Sequence, residues 1–264
     1  MFNVNWYENR YKQRLTAKIV EFDRPRRFVD EMVKGAFSSL RHIHEFFTEG
    51  DHTLMRDTLI WRSPLGLLGA IADNLLVHLD HEGLTVPVPI PTTDGRLFAD
   101  GLVVMTYAEG GPPETEADWR RVADTLRQLH RLTQGWPQRP GWRSSTDLLH
   151  AETGTKIDLG AMPREGVARC RAAWARLIGR QTCVVHGNPD SPGNIRMTAD
   201  RVALIDWDES HVDVPDLDLV LPHNAAGLDD GAHDIAAQAS AAWEAAVCWD
   251  DEYSLKRLAE VRAL

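Results

Sequence analysis

Two short apolar runs, TCVVH and RVALIDW, enclose a loop that is crowded with turn-forming and polar residues. The loop reads His186-Gly187-Asn188-Pro189-Asp190-Ser191-Pro192-Gly193-Asn194, and the second run ends in Ile205-Asp206-Trp207-Asp208. Proline and glycine at this density exclude a helix, whereas the flanking apolar runs are typical of short buried strands. The pattern therefore predicts a strand, a loop and a strand, with amide and carboxylate side chains clustered at the strand ends.

These oxygen-bearing side chains suit a magnesium ion. Phosphoryl transfer from a nucleotide needs such ligands, because the cation neutralises charge that develops between donor and acceptor. Asn194 and Asp206 are the candidate ligands. The reaction also needs a group that orients the acceptor hydroxyl and takes its proton, and Asp190 is the only acid inside the loop. A simple connection, whose polar side chains only satisfy turn hydrogen bonds, is the structural alternative.

The composition is that of a folded protein and excludes several other classes. The 264 residues are 43% hydrophobic and 26% charged, which argues against a disordered, collagen-like or coiled-coil chain. The formal net charge of −10 opposes non-specific binding to nucleic acid or to an anionic membrane. Cys170, Cys183 and Cys248 are too scattered for a disulfide framework or a C-x-x-C zinc site. Since no apolar segment resembles a signal peptide or a membrane span, we expect a cytoplasmic protein.

The amino-terminal part of the chain has the pattern of a sheet followed by a helix. Residues 10–62 alternate apolar and polar side chains in four runs separated by DRP, KGAF and EGDH, which predicts an antiparallel meander. A helix over about 65–80 follows, with Ser63 as candidate cap and Pro64 at its first position. The proline-rich stretch EGLTVPVPIPTTDGRLF excludes a helix, and its Asp94-Gly95 predicts a hairpin turn between two short strands.

Helices dominate the rest of the chain. Thr115 and Asp118 form a capping-box pattern before an amphipathic helix that runs to about residue 133. Residues 135–161 are rich in Gly, Pro, Ser and Thr and predict a loop, and a further helix is expected from Pro163 to Gly179. Alanine-rich helices complete the chain after the second apolar strand.

The loop and its second strand resemble a known family. VVHGNPDSPGNI followed by ALIDWDE is similar to the H-G-D-x-x-x-x-N and I-D-W-E motifs of aminoglycoside phosphotransferases and related choline-kinase-like kinases. The resemblance extends over residues 81 to about 225 through GLVVMTYAEG, through TLRQLHRL and through PDLDLV, whose Asp218 resembles the family's buried structural aspartate. It implies an α+β fold with a mainly helical, protein-kinase-like carboxy-terminal lobe, and transfer of phosphoryl from ATP to a small-molecule hydroxyl.

The same resemblance assigns roles to individual residues. His186 would orient the loop, and Asn194 and Asp206 would bind magnesium. The backbone around Thr106 and Ala108 would hydrogen-bond the adenine of ATP.

Two departures from the family pattern bear on activity. The catalytic aspartate of the family falls on Asn188, and an amide cannot accept a proton as a carboxylate does. The loop is also one residue longer than the pattern. If the extra residue lies before Asp190, that carboxylate takes over the role of base; if it lies after Asn188, the site lacks a base and relies on positioning and metal. Because a glycine-rich strand pair and its lysine are not evident before residue 80, a non-catalytic, pseudokinase-like protein is the alternative.

Residues 10–78 carry a second resemblance. FDRPRRFVDEMVKGAFSSLRHIHEFF and HTLMRDTLIWRSPLGLLGAIADNLLV are similar to the carboxy-terminal half of the START-like SRPBCC superfamily, whose helix-grip proteins enclose apolar ligands. The two resemblances imply an incomplete helix-grip domain over 1–80 and a kinase-like domain over 81–264. Binding of an apolar small molecule is a further alternative, and a dimer would be needed to complete the grip.

Two histidines in the meander raise the question of a metal site. His42 and His44 lie two residues apart, and hence on one face of a predicted strand, with Glu45 beside them. In the absence of a third ligand at helical or hairpin spacing, the sequence favours ordinary sheet packing over metal binding.

Overall fold

A computed structural model describes most of the chain, namely residues 2–8, 11–34, 39–50, 52–62, 69–97, 103–154, 156–247, 249 and 251–262. The chain divides into two compact units. The first comprises Met1–Asp73 and Pro89–Met105, and the second comprises Asn74–Val88 and Thr106–Leu264. Each unit combines two separate stretches of chain. The single domain boundary expected near residue 80 stays a prediction from sequence.

Most of the first unit is a five-stranded antiparallel sheet in the order β1-β2-β3-β4-β5. The strands are β1 (Phe2–Glu8), β2 (Tyr11–Asp23), β3 (Arg27–Lys34), β4 (Ser39–Glu49) and β5 (His52–Arg62). Ala17 and Val29 are fully buried, while Phe22 and Val33 are exposed. Two register shifts in the β2–β3 pairing interrupt the simple alternation of buried and exposed side chains that the sequence predicts. The predicted meander is confirmed, with β1 as an additional strand at its edge.

The segment after the sheet begins with helix α1 (Gly69–His81). Residues 63–68, on which the predicted cap and first helical position fall, lie outside the described residues. The hairpin turn at Asp94-Gly95 is confirmed: Gly95 N–H donates to Thr92 O at 2.9 Å, and Thr92 N–H donates to Arg96 O at 2.8 Å. Gly95 has a φ of +81°, a conformation that glycine adopts without strain.

Among the described residues, four helices lie wholly in the second unit, namely α2 (Glu116–Leu132), α3 (Arg164–Ala175), α4 (Asp230–Val247) and α5 (Glu252–Glu260). Helix α1 belongs to this unit from Asn74 onward. The predicted capping box of α2 is present, because Asp118 N–H donates to Thr115 Oγ1 at 3.1 Å and Thr115 N–H donates to the Asp118 carboxylate at 2.9 Å. Helix α3 ends before the predicted Gly179. Its chain tightens into turns there, with Leu177 N–H donating to Trp174 O at 2.9 Å.

Three small antiparallel pairs complete the second unit. Strand β6 (Thr153–Gly154) pairs with β7 (Ile157–Asp158), β8 (Cys183–Val185) with β11 (His211–Asp213), and β9 (Ile195–Met197) with β10 (Val202–Leu204). The two strands predicted from TCVVH and RVALIDW are therefore β8 and β10. They do not pair with each other; each pairs with a strand that the sequence pattern did not indicate.

One hydrophobic cluster of the second unit lies between α3 and α4. Trp174 is fully buried on α3, and its Nε1 donates to Ala239 O on α4 at 3.3 Å. The alanines of α4 allow this close approach, since Ala239 and Ala242 are also fully buried. None of the helices in the described part of the chain combines the length and apolarity that crossing a lipid bilayer needs.

Candidate functional site

The loop that follows β8 is held at its start by one buried carboxylate. Asp218 lies in a 3-10 turn, is fully buried, and accepts hydrogen bonds from His186 N–H at 2.7 Å and Gly187 N–H at 3.0 Å. It also lies 2.9 Å from Nε2 of His130 on α2. Burial by itself raises the pKa of Asp218, whereas the hydrogen bond and charge of His130, together with the hydrogen bond from Gly187 N–H and other nearby groups, lower it, and the net pKa is below its usual range. The predicted burial of this aspartate is confirmed.

The side chain of His186 joins the loop to the strand that leads to Asp206. Its ring is fully buried, and Nε2 lies 2.9 Å from Ile205 O. A carbonyl can only accept, so Nε2 carries the proton and Nδ1 faces the N–H of Asn188 at 3.4 Å. Burial lowers the pKa of His186, which keeps the ring neutral. His186 therefore fixes both the loop and the approach to Asp206.

Asn188 and Asn194 are connected across the loop. Asn194 is 7% exposed, and its side-chain Nδ2 donates to Asn188 O at 3.0 Å. The backbone carbonyl of Asn194 in turn accepts from Ile205 N–H at 2.9 Å. Oδ1 of Asn188 is buried, and no donor among the described residues lies within hydrogen-bonding distance of it. An unpaired buried acceptor is costly, which makes this oxygen a candidate contact for a ligand hydroxyl.

Asp206 adopts a strained backbone conformation at the end of the β9–β10 hairpin. Its φ is +66° and its side chain is exposed. Because Ile195 pairs with Leu204 in the hairpin, Asn194 and Asp206 emerge at the same end. A left-handed conformation at a residue other than glycine is found preferentially at functional sites. An amide oxygen and a carboxylate there are hard donors, so the pair fits magnesium.

The other predicted site residues have less defined surroundings. Asp190 is partly buried in a turn, two residues beyond Asn188. Thr106 N–H donates to Val88 O at 2.8 Å, so only the carbonyl of Thr106 remains for an adenine contact. Ala108 is half-buried, and no described residue hydrogen-bonds to its backbone N–H. The roles expected for these three residues stay predictions.

The sequence reasoning did not identify a set of basic residues around the Asp206 turn. Arg139 Nη1 donates to Asp208 O at 2.9 Å and to Ser210 O at 3.1 Å. Lys156 forms an ion pair with the buried Glu209, and its Nζ lies 3.6 Å from the Asp208 carboxylate. Both cations come from the stretch predicted only as loop, and no local pattern could connect them to residues more than fifty positions away.

Comparison with known proteins relates this geometry to one family. Residues 70–253 match the model of a family described as the phosphotransferase enzyme family. A choline kinase from Streptococcus pneumoniae is 13% identical, with a TM-score of 0.51 and a match that covers 94% of this chain and 92% of that one. This likeness confirms the predicted α+β, protein-kinase-like fold class.

Two further solved structures are similar at lower TM-scores. A spectinomycin phosphotransferase in complex with ADP and spectinomycin is 14% identical, with a TM-score of 0.47 over 92% of this chain and 88% of that one. An aminoglycoside phosphotransferase from Alicyclobacillus acidocaldarius is 15% identical, with a TM-score of 0.46 over 85% of this chain and 87% of that one. No curated protein matches the chain.

Proposed function

Because the chain belongs to the phosphotransferase enzyme family, we propose that it transfers the terminal phosphoryl group of ATP to a hydroxyl of a small molecule, of aminoglycoside type or another. In this reaction the hydroxyl oxygen forms a bond to the γ-phosphorus, and the bond from that phosphorus to the bridging oxygen breaks. ADP leaves with the bonding electron pair, and the hydroxyl proton passes to a base or to solvent.

The observation that carries the proposal is the anchored loop from His186 to Asn194. Its first two N–H groups are held by Asp218, its histidine reaches Ile205, and its last residue is bonded to Asn188. These hydrogen bonds position both ends of the loop independently of any substrate. Preorganised polar groups stabilise developing charge without a reorganisation cost at the moment of reaction.

Asn194 and Asp206 would hold magnesium in this proposal. When bound, the cation neutralises charge on the transferring phosphoryl group. The side chain of Asn194 is already oriented to bind a cation, because its Nδ2 donates to Asn188 O at 3.0 Å. Its other polar side-chain atom, the amide oxygen, remains to bind magnesium. The backbone carbonyl of Thr106 and the N–H of Ala108 would bind adenine.

Asn188 and Asp190 would share the work of the usual catalytic aspartate. The buried Oδ1 of Asn188 accepts a hydrogen bond from the acceptor hydroxyl and orients it, but an amide does not take the proton. Asp190, two residues further along, is the carboxylate that receives the proton. The dependence on two residues predicts a distinct response to substitution of each one.

Nucleotide binding is the first test. Millimolar ATP with magnesium is expected to raise the thermal midpoint of the wild-type protein by mass action, and Asp206→Asn is expected to abolish the shift. Asp200→Asn, a substitution of the same kind at an exposed position before β10, is the matched control and should keep the shift. If the wild-type midpoint does not move, the chain lacks the nucleotide site and the proposal fails.

Phosphoryl transfer is the second test, with a screen of small alcohols and aminoglycosides in the presence of labelled ATP. For an acceptor that is phosphorylated, Asp190→Asn should lower kcat by about 10²-fold or more, the usual contribution of a general base. Asn188→Ala should raise KM for the acceptor more than it lowers kcat. An Asp190→Asn variant with full activity would remove Asp190 from the mechanism.

A non-catalytic role is the second candidate, and Asn188 favours it, because the resemblance places the family's proton acceptor at this amide. In that case the wild-type protein binds ATP and magnesium but transfers no phosphoryl group to any acceptor. Asn188→Asp is the discriminating variant. Activity gained only in Asn188→Asp supports the non-catalytic reading, whereas activity already present in the wild type contradicts it.

A further inference from the structure

Three potential metal ligands meet on one face of the amino-terminal sheet. Asp30 on β3 stands directly opposite His42 on β4, and His44 follows two residues later on the same strand. Directly opposite residues in an antiparallel pair share a face, and so do residues two apart on one strand. Asp30 supplies the third ligand that sequence spacing failed to indicate, because strand register brings together residues twelve positions apart.

The ligand atoms of these residues are close and sheltered. Oδ1 of Asp30 lies 3.1 Å from Nε2 of His44 and 4.0 Å from Nδ1 of His42. One ligand atom from each of the three residues lies within 4.8 Å of the others. The three side chains are only 11–14% exposed. In a tetrahedral zinc site with bonds of about 2.0 Å, neighbouring ligand atoms are about 3.3 Å apart, so a small adjustment of the rings brings the set around one ion.

We propose that Asp30, His42 and His44 bind a divalent transition-metal ion, with zinc as the preferred probe. Two imidazole nitrogens and a carboxylate suit zinc, cobalt or nickel, whereas magnesium prefers oxygen ligands and retains water. Three protein ligands leave a fourth position for water. This set is separate in chemistry from the oxygen pair Asn194 and Asp206.

Neighbouring residues hold the rings in place and balance nearby charge. The ring of Phe28 stacks on His44, with centroids 3.9 Å apart and planes at 19°, and the two histidine rings are 3.8 Å apart. Arg27 and Arg41 on the same two strands form ion pairs with Glu21 and Glu31, so their charges are compensated. Packing that fixes ligand orientation is the usual support of a metal centre.

The test is a calorimetric titration of the full chain, first dialysed against chelator and then against metal-free buffer, with Zn²⁺ alone. One Zn²⁺ per chain is expected. His42→Asn, His44→Asn and Asp30→Asn should each weaken binding by more than about 100-fold, since loss of an outer-shell partner alone costs about 10- to 100-fold. His81→Ala removes a histidine whose side chain is 84% exposed, and it should leave the affinity unchanged. Asp206→Asn should also leave the Zn²⁺ affinity unchanged.

Co²⁺ provides a second readout that does not depend on heat. Bound by nitrogen and oxygen ligands in a four-coordinate site, it gives intense visible absorption bands that the His44→Asn variant should lose. Far-ultraviolet circular dichroism of each metal-free variant verifies that the sheet is formed, and any one folded variant of the three decides the question. Absence of Zn²⁺ binding, or equal binding by wild type and a folded variant, would mean that Asp30 and the histidines are only a hydrogen-bonded cluster.

Discussion

Gly187 shows how little freedom a single residue has at the start of the anchored loop. Its φ is +92°, and a Cβ built on it would lie 2.6 Å from the backbone oxygen of Glu209. At Gly187, the loop and the Asp206 turn therefore lie so close together that the residue has no room for a side chain larger than hydrogen. Any larger residue must displace one of the two segments that carry the candidate site.

Substitution of this glycine is expected to be costly. Gly187→Ala combines a left-handed backbone with overpacking and should lower the free energy of unfolding by about 2–5 kcal/mol in urea titrations. Gly179→Ala is the matched control, since Gly179 has a φ of +82° but no atom within 4 Å of the added Cβ. Gly179→Ala should lower the free energy of unfolding by only about 1–2 kcal/mol. Equal losses in the two variants would show that the contact with Glu209 is unimportant.

The buried ring of His186 should make stability depend on pH. Burial lowers the pKa of His186 below the ordinary 6.5, so the unfolded chain binds a proton that the folded chain does not. The contribution of His186 to the free energy of unfolding is therefore at its maximum above pH 6.5. Below pH 6.5 this contribution falls by at most about 1.4 kcal/mol per pH unit.

His186→Gln isolates this contribution. Glutamine keeps a donor near the position of Nε2 for Ile205 O but does not titrate, so its unfolding free energy should decline less between pH 6.5 and 5.5 than that of the wild type. Urea unfolding at several pH values measures the difference, with the exposed His150→Gln as control. Parallel pH profiles of wild type and His186→Gln would contradict a neutral buried ring.

Among the elements, the 3-10 turn Pro215–Asp218 does the most to join the site to the helices. Through Asp218 it connects the end of β8 to His130 on α2. Asp218→Asn replaces one acceptor oxygen by a donor and leaves a buried N–H or the His130 ring unpaired. We expect a loss of about 3 kcal/mol in the free energy of unfolding.

The neighbouring Asp216 provides the comparison for this variant. It lies on the same turn and forms an ion pair with Arg180, whose side chain is 31% exposed. Asp216→Asn should cost no more than about 1 kcal/mol, as is usual for pairs near the surface. Chemical denaturation of both variants tests the ranking, and an Asp218→Asn loss no greater than that of Asp216→Asn would refute it.

Elements with a strong local pattern were predictable from the sequence. The meander was evident from alternation, α2 from its three-and-four spacing and its Thr115 cap, and β8 and β10 from their apolar runs. The partners of β8 and β10 were not, because short strands of three residues carry too little pattern to specify pairing. The end of α3 was placed too late, since Leu177 is buried but belongs to a turn.

For the candidate site, the sequence indicated the polar residues of the site but not the residues that contact and position them. Asn194, Asp206 and Asp218 stood in a recognisable pattern, whereas Arg139 and Lys156 reach the Asp206 turn from a stretch without periodicity. Asp30 was overlooked for a related reason. Its closeness to His42 follows from strand register, which depends on the whole meander rather than on local spacing.

At the scale of the whole molecule, the two described free cysteines report on the integrity of the second unit. Cys170 and Cys183 are 0% and 2% exposed. Burial raises the pKa of Cys170 to about 12 and also raises that of Cys183, where the charges of Asp218 and Asp213 add to the effect. Because the thiolate is the reactive form, both side chains should be inert in the folded protein.

Labelling with iodoacetamide at pH 8 tests this expectation. Mass spectrometry should find both cysteines unmodified in native buffer and modified in concentrated urea, with a labelling midpoint that follows global unfolding. Asp218→Asn should shift that midpoint to lower urea. Rapid modification of Cys170 in native buffer would indicate that the core between α3 and α4 opens locally.

The anchoring of the loop by Asp218 also bears on synthesis. His130 reaches this carboxylate from 88 residues earlier in the chain, and the loop reaches it from 31 and 32 residues earlier. A nascent chain that ends before residue 218 carries every residue of the loop and lacks the group that shapes it. Until residue 218 has been added to the growing chain, the first two N–H groups of the loop therefore lack the acceptor that holds them in the native protein.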